Sequence, residues 1–257
     1  MTIVGVTGTY TDSLAVCTDN DNGNCKIPSG SNKSTIDTDL VAGNIKSGVT
    51  IFGVTGTLVV APEFSCGDSV SYGGESYPTV QIGTQCWFAK NLNVGTMING
   101  TSTQTNNATL EKYCYNNDTA QCTTYGGLYQ WDEMMQYTTT AGAQGICPSG
   151  WHLPTDTEWK TLVESQATLG CESSTGWQCD PAGTALKSGG SSGFNGLLAG
   201  YRYTNGSFYY QGSNAYLWSS SESGTNAWSR YLLSSITTVY RDTDGKAGGF
   251  SVRCLQN

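Results

Sequence analysis

Ten cysteines, most of them spaced as local pairs, constrain this chain of 257 residues more than any other feature. Three pairs are separated by eight positions across polar, turn-rich sequence: Cys17–Cys25, Cys114–Cys122 and Cys171–Cys179. Cys66 and Cys86 bracket a predicted hairpin, which leaves Cys147 and Cys254 to close nearly the whole second half of the chain. An even number of cysteines in this pattern indicates disulfides and an oxidising compartment. Metal binding is the alternative, but it is disfavoured because the chain has no Cys-x-x-Cys pair and only one histidine.

The composition favours a loop-rich, β-leaning protein that works outside the cell or at its surface. Charged residues make up only 12% of the chain, whereas Gly (33), Tyr (15) and Trp (7) are plentiful. The net charge of -8 disfavours nucleic acid as a partner, because phosphate binding requires clustered Lys and Arg. No apolar run of about 18 residues is present, so we expect no membrane insertion. The first residues do not resemble a signal peptide, and we therefore expect that a signal sequence or an upstream region is missing from this chain.

An eight-residue segment occurs twice in the first part of the chain. Residues 2–9 and 50–57 are identical at seven of eight positions. Repeats this similar indicate stacked modules, and the segment resembles repeat arrays of bacterial surface proteins and of phage-tail-like fibres. Residues 1–61 are therefore predicted to form a small β-rich stalk, which associates as a homotrimer in this interpretation. A flexible linker with one disulfide is the alternative.

Residues 62–257 are predicted to form a second domain, because the pattern changes at Pro62. Residues 76–88 predict two short strands around a turn at Gly83. Residues 95–109 and 170–193 are predicted to be loops. Short aromatic strands are predicted after them, over 193–203, 207–211, 216–220, 228–234, 237–241 and 249–255.

Two helices are predicted in this domain. The first covers 126–135, with Leu128, Trp131 and Met135 on one face. The second begins at Thr155, which forms a capping box with Glu158. Its apolar residues are Trp159, Leu162, Val163 and Leu169, and Gly170 is the predicted end of the helix.

The order of short motifs in this domain is specific. The motifs are VQIGTQCWFAKNL (80–92), YCYNN (113–117), YGGLYQW (125–131), CPSGWHLPT (147–155), GYR (200–202), YLWSS (216–220) and GFSVRC (249–254). In this order they resemble the Fibrobacter succinogenes major paralogous domain family. The resemblance implies an α+β domain of the C-type-lectin-like fold, disulfide-rich, with two helices beside twisted antiparallel sheets. It also implies a relation to the variable proteins of diversity-generating retroelements, and that Cys147 lies near Cys254.

The chain lacks the residues that catalysis in this fold would need. Formylglycine-generating enzymes of the same fold use two cysteines five positions apart near the C-terminus, and Gly249 stands five residues before Cys254. His152 is the only histidine and is predicted to be structural, while Asp156 and Glu158 belong to the start of a helix. The triplets with which C-type lectins bind calcium and sugar are also absent. We therefore expect no enzyme activity, no cofactor and no metal.

The region over 222–246 is the predicted binding surface, because the resemblance places partner recognition there and because Tyr, Trp, Arg and Asn are typical of adaptable binding surfaces. The candidate ligand-binding residues are Asn226, Trp228, Tyr231, Tyr240, Arg241, Asp242 and Asp244, with Tyr209, Tyr210 and Tyr216 added from neighbouring segments. These aromatics could instead be core residues of short strands. The predicted function is an extracellular adhesin or fibre tip that recognises a cell-surface protein or glycan. A structural envelope or fibre component without a separate ligand is the alternative.

Overall fold

The chain divides into two compact units, Met1–Phe64 and Ser65–Asn257. The residues that the computed structural model describes are 41–51, 54–58, 64–169, 171 and 174–257. The predicted disulfide Cys17–Cys25 and the first copy of the repeat lie outside these residues. The homotrimeric stalk stays a prediction.

The second copy of the repeat contains two paired strands in the first unit. Strand β1 (Thr50–Ile51) pairs antiparallel with β2 (Val54–Thr55), and the hydroxyls of Thr50 and Thr55 lie 3.1 Å apart. A short 3₁₀ helix, Ala42–Asn44, precedes these strands, and Ile45 after it is buried. The described part of the second copy is therefore β-structure, as the sequence predicts for this unit.

A five-stranded sheet contains the first strands of the second unit and its last. In chain order these strands are β3 (Ser69–Tyr72), β4 (Glu75–Ile82), β5 (Gln85–Phe88), β8 (Trp151–His152) and β15 (Leu255–Gln256). Their order in the sheet is β3-β4-β5-β15-β8. The predicted hairpin over 76–88 is confirmed, because β4 and β5 pair around Gly83, whose φ of 59° suits a glycine turn. The start and the end of the unit therefore meet in one sheet.

A six-stranded sheet contains the predicted aromatic strands. Its strands are β9 (Gly176–Gln178), β10 (Ala199–Arg202), β11 (Phe208–Gln211), β12 (Asn214–Ser223), β13 (Asn226–Leu233) and β14 (Val239–Gly245). The order in the sheet is β11-β10-β12-β13-β14-β9, and all pairs are antiparallel except β10 with β12. A parallel pair of two-residue strands, β6 (Thr96–Met97) and β7 (Glu111–Lys112), lies apart from both large sheets.

The helices of the described residues are short. They are α1 (Thr119–Tyr125), α2 (Trp131–Met134), α3 (Asp156–Ser165) and α4 (Ala182–Leu186). The domain is thus mostly β-sheet with a few helices, which is consistent with the α+β class. None of these helices combines the length and the apolar character that a membrane crossing requires.

The capping box of α3 is confirmed, but its predicted end is wrong. Thr155 accepts a hydrogen bond from the Glu158 backbone, and the Glu158 carboxylate accepts one from the Thr155 backbone. The helix ends at Ser165 instead of Gly170, and Leu169 is 71% exposed. The backbone of Leu169 leaves the helical path because it forms a β-bridge with Asp180.

The predicted helix over 126–135 is mostly wrong. Only Trp131–Met134 is helical, because Gly126 ends α1 with a φ of 85° and the next residues are extended. Leu128 pairs with Tyr113, and Tyr129 pairs with Phe250, so their backbone groups are used in β-bridges. The predicted loop over 170–193 also differs, since its described part contains β9 and α4. The last predicted strand, over 249–255, is mainly a run of single bridges before β15.

Two hydrophobic cores form because neighbouring strand residues point in opposite directions. On β5, Trp87 belongs to one core and Phe88 to the other, and Leu217 and Trp218 divide in the same way on β12. Helix α3 contributes Trp159 to the core of Trp87, and the two rings lie 4.9 Å apart. Each large sheet therefore supplies side chains to both cores.

The segment before β15 connects the two large sheets. The Ser251 backbone donates to the Tyr216 carbonyl of β12, and the Phe88 backbone of β5 donates to the Cys254 carbonyl. Arg253 is fully buried between these contacts. Its guanidinium donates to four oxygens at 2.6 to 2.8 Å, which are Asn91 Oδ1 and the carbonyls of Phe88, Phe194 and Asn195.

Four of the five predicted disulfides are confirmed. They are Cys66–Cys86, Cys114–Cys122, Cys147–Cys254 and Cys171–Cys179. The Cys147–Cys254 bridge closes a loop of 107 positions, whereas Cys114–Cys122 closes one of 8. The long bridge attaches the segment before β8 to the segment before β15.

Removal of the long disulfide should destabilise the fold more than removal of a short one. Loop-closure entropy predicts a loss of about 5 kcal/mol for Cys147→Ala with Cys254→Ala, and about 2.5 kcal/mol for Cys114→Ala with Cys122→Ala. Urea unfolding of both double variants, monitored by tryptophan fluorescence, measures the difference. Equal losses would show that chain entropy does not control the effect.

Replacement of Arg253 should also be costly. Arg253→Met removes the buried donors and takes the guanidinium partner from three buried oxygens and one part-buried oxygen, so we expect a loss of at least about 3 kcal/mol in the free energy of unfolding. Lys160→Met is the control, because Lys160 forms only a surface ion pair with Glu164 and its loss should cost less than about 0.5 kcal/mol. Similar losses in the two variants would contradict the role given to Arg253.

Candidate ligand-binding surface

One aromatic side chain from each strand of the six-stranded sheet forms a continuous row across one face. We call these six residues the aromatic row; in sheet order they are Trp177, Tyr240, Tyr231, Tyr216, Tyr201 and Tyr209. The distances between successive ring centroids are 4.8, 5.3, 4.5, 4.6 and 5.8 Å. Six strands at the usual spacing make the row about 24 Å long.

The strand register produces this row. Tyr240 is the direct partner of both Trp177 and Tyr231, and Tyr231 is the partner of Tyr216. Tyr201 faces Tyr209, and it follows Gly200, whose parallel partner is Ala215, the residue before Tyr216. Side chains directly opposite each other on paired strands lie on the same face of a sheet. The backbone pairing of the strands therefore places the six rings in one row.

The ends of the row are more exposed than its middle. Trp177 is 44% and Tyr209 39% exposed, whereas the four central tyrosines are half-buried. Tyr201, Tyr216 and Tyr231 pack against the core that contains Phe250. Packing from below fixes the positions of the central rings while their upper edges remain open to solvent.

Tyr210 widens the Tyr209 end of the row. In a regular strand it would point away from Tyr209, but its φ of 63° is in the left-handed region. Its ring lies 6.1 Å from Tyr201 and is 55% exposed. A tyrosine in this region of the backbone map costs free energy, and here the conformation brings the ring to the row face. Tyr210 therefore marks this end of the row as a candidate contact.

A cleft of about 420 Å³ opens beside the central tyrosines. We call it the tyrosine cleft; its walls include Tyr201, Tyr203, Tyr216, Tyr231, Phe250 and Asp244. The Asp244 carboxylate accepts hydrogen bonds from Ser229 at 2.6 Å and from the Tyr231 hydroxyl at 2.5 Å, both on Oδ2. Burial raises the pKa of Asp244, although these two hydrogen bonds partly offset it. The pKa of Tyr231 is also raised, by burial first and then by the neighbouring Asp244 charge.

Two of the predicted binding residues lie on the opposite face of the same sheet. Trp228 and Arg241 point towards α3, and the Arg241 guanidinium lies 3.6 Å from the centroid of the Trp228 ring. Asp156, at the start of α3, forms ion pairs with Arg241 at 2.6 Å and with buried Arg230 at 2.8 Å. Burial alone would raise the pKa of Asp156, but its bonds to the two arginines lower it. This cluster attaches α3 to the sheet.

Seven of the other eight predicted residues lie on the row face or beside it. Tyr209, Tyr216, Tyr231 and Tyr240 are in the row, Tyr210 is beside it, and Asp244 is in the cleft. Asp242 is half-buried on the row face, where its carboxylate accepts from the Thr243 backbone at 2.8 Å. Asn226 lies at the start of β13, with Ser223 and Gly245 as its partners.

Four aromatic residues of the row and the cleft were not predicted from the sequence to be binding residues, namely Trp177, Tyr201, Tyr203 and Phe250. Tyr201 and Tyr203 alternate around Arg202, which is buried and donates to the carbonyls of Gly100, Ser102 and Ala247. This alternation is a detectable signal for two tyrosines on one face. Trp177 had no such signal, because it lies in a segment with loop composition.

In the described ranges no group of three or more His, Cys, Asp and Glu side chains could hold a metal ion. Both ring nitrogens of His152 have partners within the fold instead. Its Nε2 lies 3.0 Å from Glu158 Oε1 and its Nδ1 lies 2.8 Å from Asn257 Oδ1. The hydrogen bond with Glu158 raises the pKa of His152 despite its burial. His152 thus connects β8, the start of α3 and the C-terminal residue.

His152 should make the stability of the fold depend on pH. Because its pKa is higher in the folded state, the protonated imidazole stabilises that state below the ordinary histidine pKa, and this contribution is lost as the pH rises through the folded-state pKa. We expect the free energy of unfolding to fall by up to about 1 kcal/mol between pH 5.5 and pH 8.5. His152→Gln should remove this part of the pH dependence, and urea unfolding at both pH values measures it. An unchanged pH profile would contradict the assignment.

The whole chain was compared with protein families, with curated proteins and with solved structures. The model of the Fibrobacter succinogenes major domain matches residues 80–256. No curated protein and no solved structure gave a match. The matched region includes both the aromatic row and the tyrosine cleft, and it covers more than half of the chain. The chain therefore belongs to the Fibrobacter succinogenes major domain family.

Proposed function

We propose that this protein is a binding module and that the aromatic row is its contact surface. The observation that carries the proposal is the continuity of the row, with one ring from every strand of a six-stranded sheet. Tyr and Trp supply large contact areas at a low cost in side-chain entropy, which explains their enrichment in binding surfaces. Rings fixed by a β-ladder lose little further freedom when a partner binds.

The partner class is a protein or a glycan on another surface. A row about 24 Å long suits an extended partner, because a small molecule would touch only two or three of its rings. The cleft beside Tyr231 adds a recess with a carboxylate to this surface. A row with polar residues and a recess is typical of recognition surfaces with a few anchor sites.

We further propose that the protein acts outside the cell, as an adhesin or a fibre tip. Four disulfides in the described part support an oxidising compartment. The C-type-lectin-like fold and the relation to retroelement-diversified proteins are part of the same proposal, as is a homotrimeric stalk over residues 1–61. The repeat over 2–9 and 50–57 supports the stalk, because adjacent repeats generally stack.

A binding role without catalysis is also proposed. His152, Asp156 and Glu158, the residues that would first suggest chemistry, each stabilise the start of α3. Their carboxylates and the imidazole are satisfied by partners within the fold. This arrangement supports a structural function for all three.

Loss of rings from the row should weaken target binding while the protein remains folded. Protein and glycan arrays, probed with the full chain, identify a target. Tyr209→Ala with Tyr240→Ala should then weaken binding to that target at least about tenfold, since each ring contributes on the order of 1 kcal/mol or more at a contact surface. The melting temperature should change little, because both rings are partly exposed.

Trp228→Ala is the matched control, because Trp228 is an aromatic residue of the same sheet that points to the opposite face. It should retain target binding. Full binding by the row variant would contradict the proposal, and loss of binding only in Trp228→Ala would assign recognition to the α3 face. Concentration-dependent self-association through the row, measured by sedimentation, would favour a structural component instead.

A further inference from the structure

We infer that the tyrosine cleft binds the side-chain ammonium group of a lysine presented by a partner protein. The inference rests on the proposed binding function and specifies the partner for one part of that surface. It follows from the aromatic walls of the cleft, from the carboxylate that lines it and from the charge distribution around it.

The walls of the cleft present the π-systems of several rings to one recess. Tyr201 and Tyr216 lie 4.6 Å apart, Tyr216 and Tyr231 lie 4.5 Å apart, and each is inclined to its neighbour by about 50°. The rings therefore form a curved wall, unlike a flat stack. Faces of aromatic rings carry negative partial charge and attract cations, and a concave set of rings is the known arrangement for ammonium groups.

Asp244 adds a full negative charge to this wall. Asp244 lines the cleft, and both of its side-chain hydrogen bonds within the described residues fall on Oδ2, so Oδ1 keeps its capacity to accept from a ligand. An ammonium group that is withdrawn from water requires an anionic or strong acceptor partner. The cleft supplies one within reach of the rings, whereas a neutral apolar ligand would leave this carboxylate buried without a counter-charge.

The neighbouring cations of the chain are already bound elsewhere. Lys246 pairs with Glu222 and lies 4.1 Å from the centroid of Trp131, and Arg241 pairs with Asp156 on the opposite face. Arg202 lies 4.5 Å from the Tyr113 ring and donates to carbonyls. In the described part of the chain, cation–π contacts involve rings outside the row and the cleft. The cleft is thus lined by aromatic rings and a carboxylate, and among the described residues no Lys or Arg forms an ion pair or a cation–π contact with them.

A lysine on a protein fits the surroundings of the cleft better than a free amine. The aliphatic stem of lysine can lie along the tyrosine rings while its ammonium reaches Asp244. The row around the cleft provides further area for the surface of a partner protein. The net charge of -8 also favours approach of a basic partner, because complementary charge accelerates association.

Two probes of the same shape test the inference on the full chain. Nα-acetyl-lysine methylamide carries the ammonium group, and Nα-acetyl-norleucine methylamide has nearly the same apolar stem without it. Amide chemical shifts of Gly245 and Gly248, which line the cleft, report binding in NMR titrations. We expect saturable shifts with the lysine probe and at least about fivefold weaker binding of the norleucine probe.

Three substitutions identify the source of the affinity. Asp244→Asn should weaken binding of the lysine probe at least about fivefold, because the charge is removed while an acceptor for Ser229 and Tyr231 remains. Tyr203→Leu should weaken it about two- to fivefold, whereas Tyr203→Phe should leave it within about twofold, since phenylalanine keeps the π-face. Tyr203 is 48% exposed, so both of its variants should fold even if Asp244→Asn does not.

Equal affinities for the two probes, or no shift with the lysine probe at its highest soluble concentration, would overturn the inference. Equal binding by Tyr203→Leu and Tyr203→Phe would also overturn it, because the cleft would then be merely apolar. The proposed function has a separate test. A target that is lost in Tyr209→Ala with Tyr240→Ala but kept in Asp244→Asn would leave the binding module intact and refute only the lysine site.

Discussion

The buried guanidinium of Arg253 is the interaction on which the junction of the two sheets depends. A buried charge without a carboxylate is costly unless its donors are hydrogen-bonded, and four of the five N–H donors of Arg253 have oxygen partners. These oxygens belong to two separate segments of the chain, one around Phe88 and Asn91 and the other at Phe194 and Asn195. Only a structure that brings the two segments together can bury this side chain. Once Arg253 is in place, the adjacent Cys254 can reach Cys147, and Ser251 can pair with β12.

The position of β12 then determines the aromatic row. Its register with β13 aligns Tyr216 with Tyr231, and the next pairs continue the alignment to Tyr240 and Trp177. A slip of one residue in any of these pairs would turn an aromatic side chain to the α3 face and interrupt the row. The same register brings Asp244 next to Tyr231 and so forms the cleft. The contact surface and its recess therefore depend on a single set of backbone hydrogen bonds.

Local signals predicted the parts of this fold that depend on nearby residues. The capping box of α3 and the pairing of cysteines followed from spacing alone. The helix predicted around Leu128 does not form there, although its apolar residues have helical spacing. The backbone groups of Leu128 and Tyr129 pair instead with Tyr113 and Phe250, and the local sequence gives no sign of these partners. Asp156 was expected to serve only the helix start, and its two arginines lie more than 70 positions away. Trp228 and Tyr231 were predicted to share one binding surface. They are an odd number of positions apart on β13, however, and strand alternation puts such residues on opposite faces of the sheet.

The alternation of β13 and β14 separates two tasks within the same strands. One face holds α3 through the pair of arginines around Asp156, and the other presents the aromatic row. Side chains that share no neighbours generally make additive contributions to stability. Changes of residue type on the row face therefore leave the attachment of α3 almost unaffected. The sheet thus has one face that attaches α3 and another whose more exposed rings, at Trp177 and Tyr209, can change in residue type without loss of that attachment.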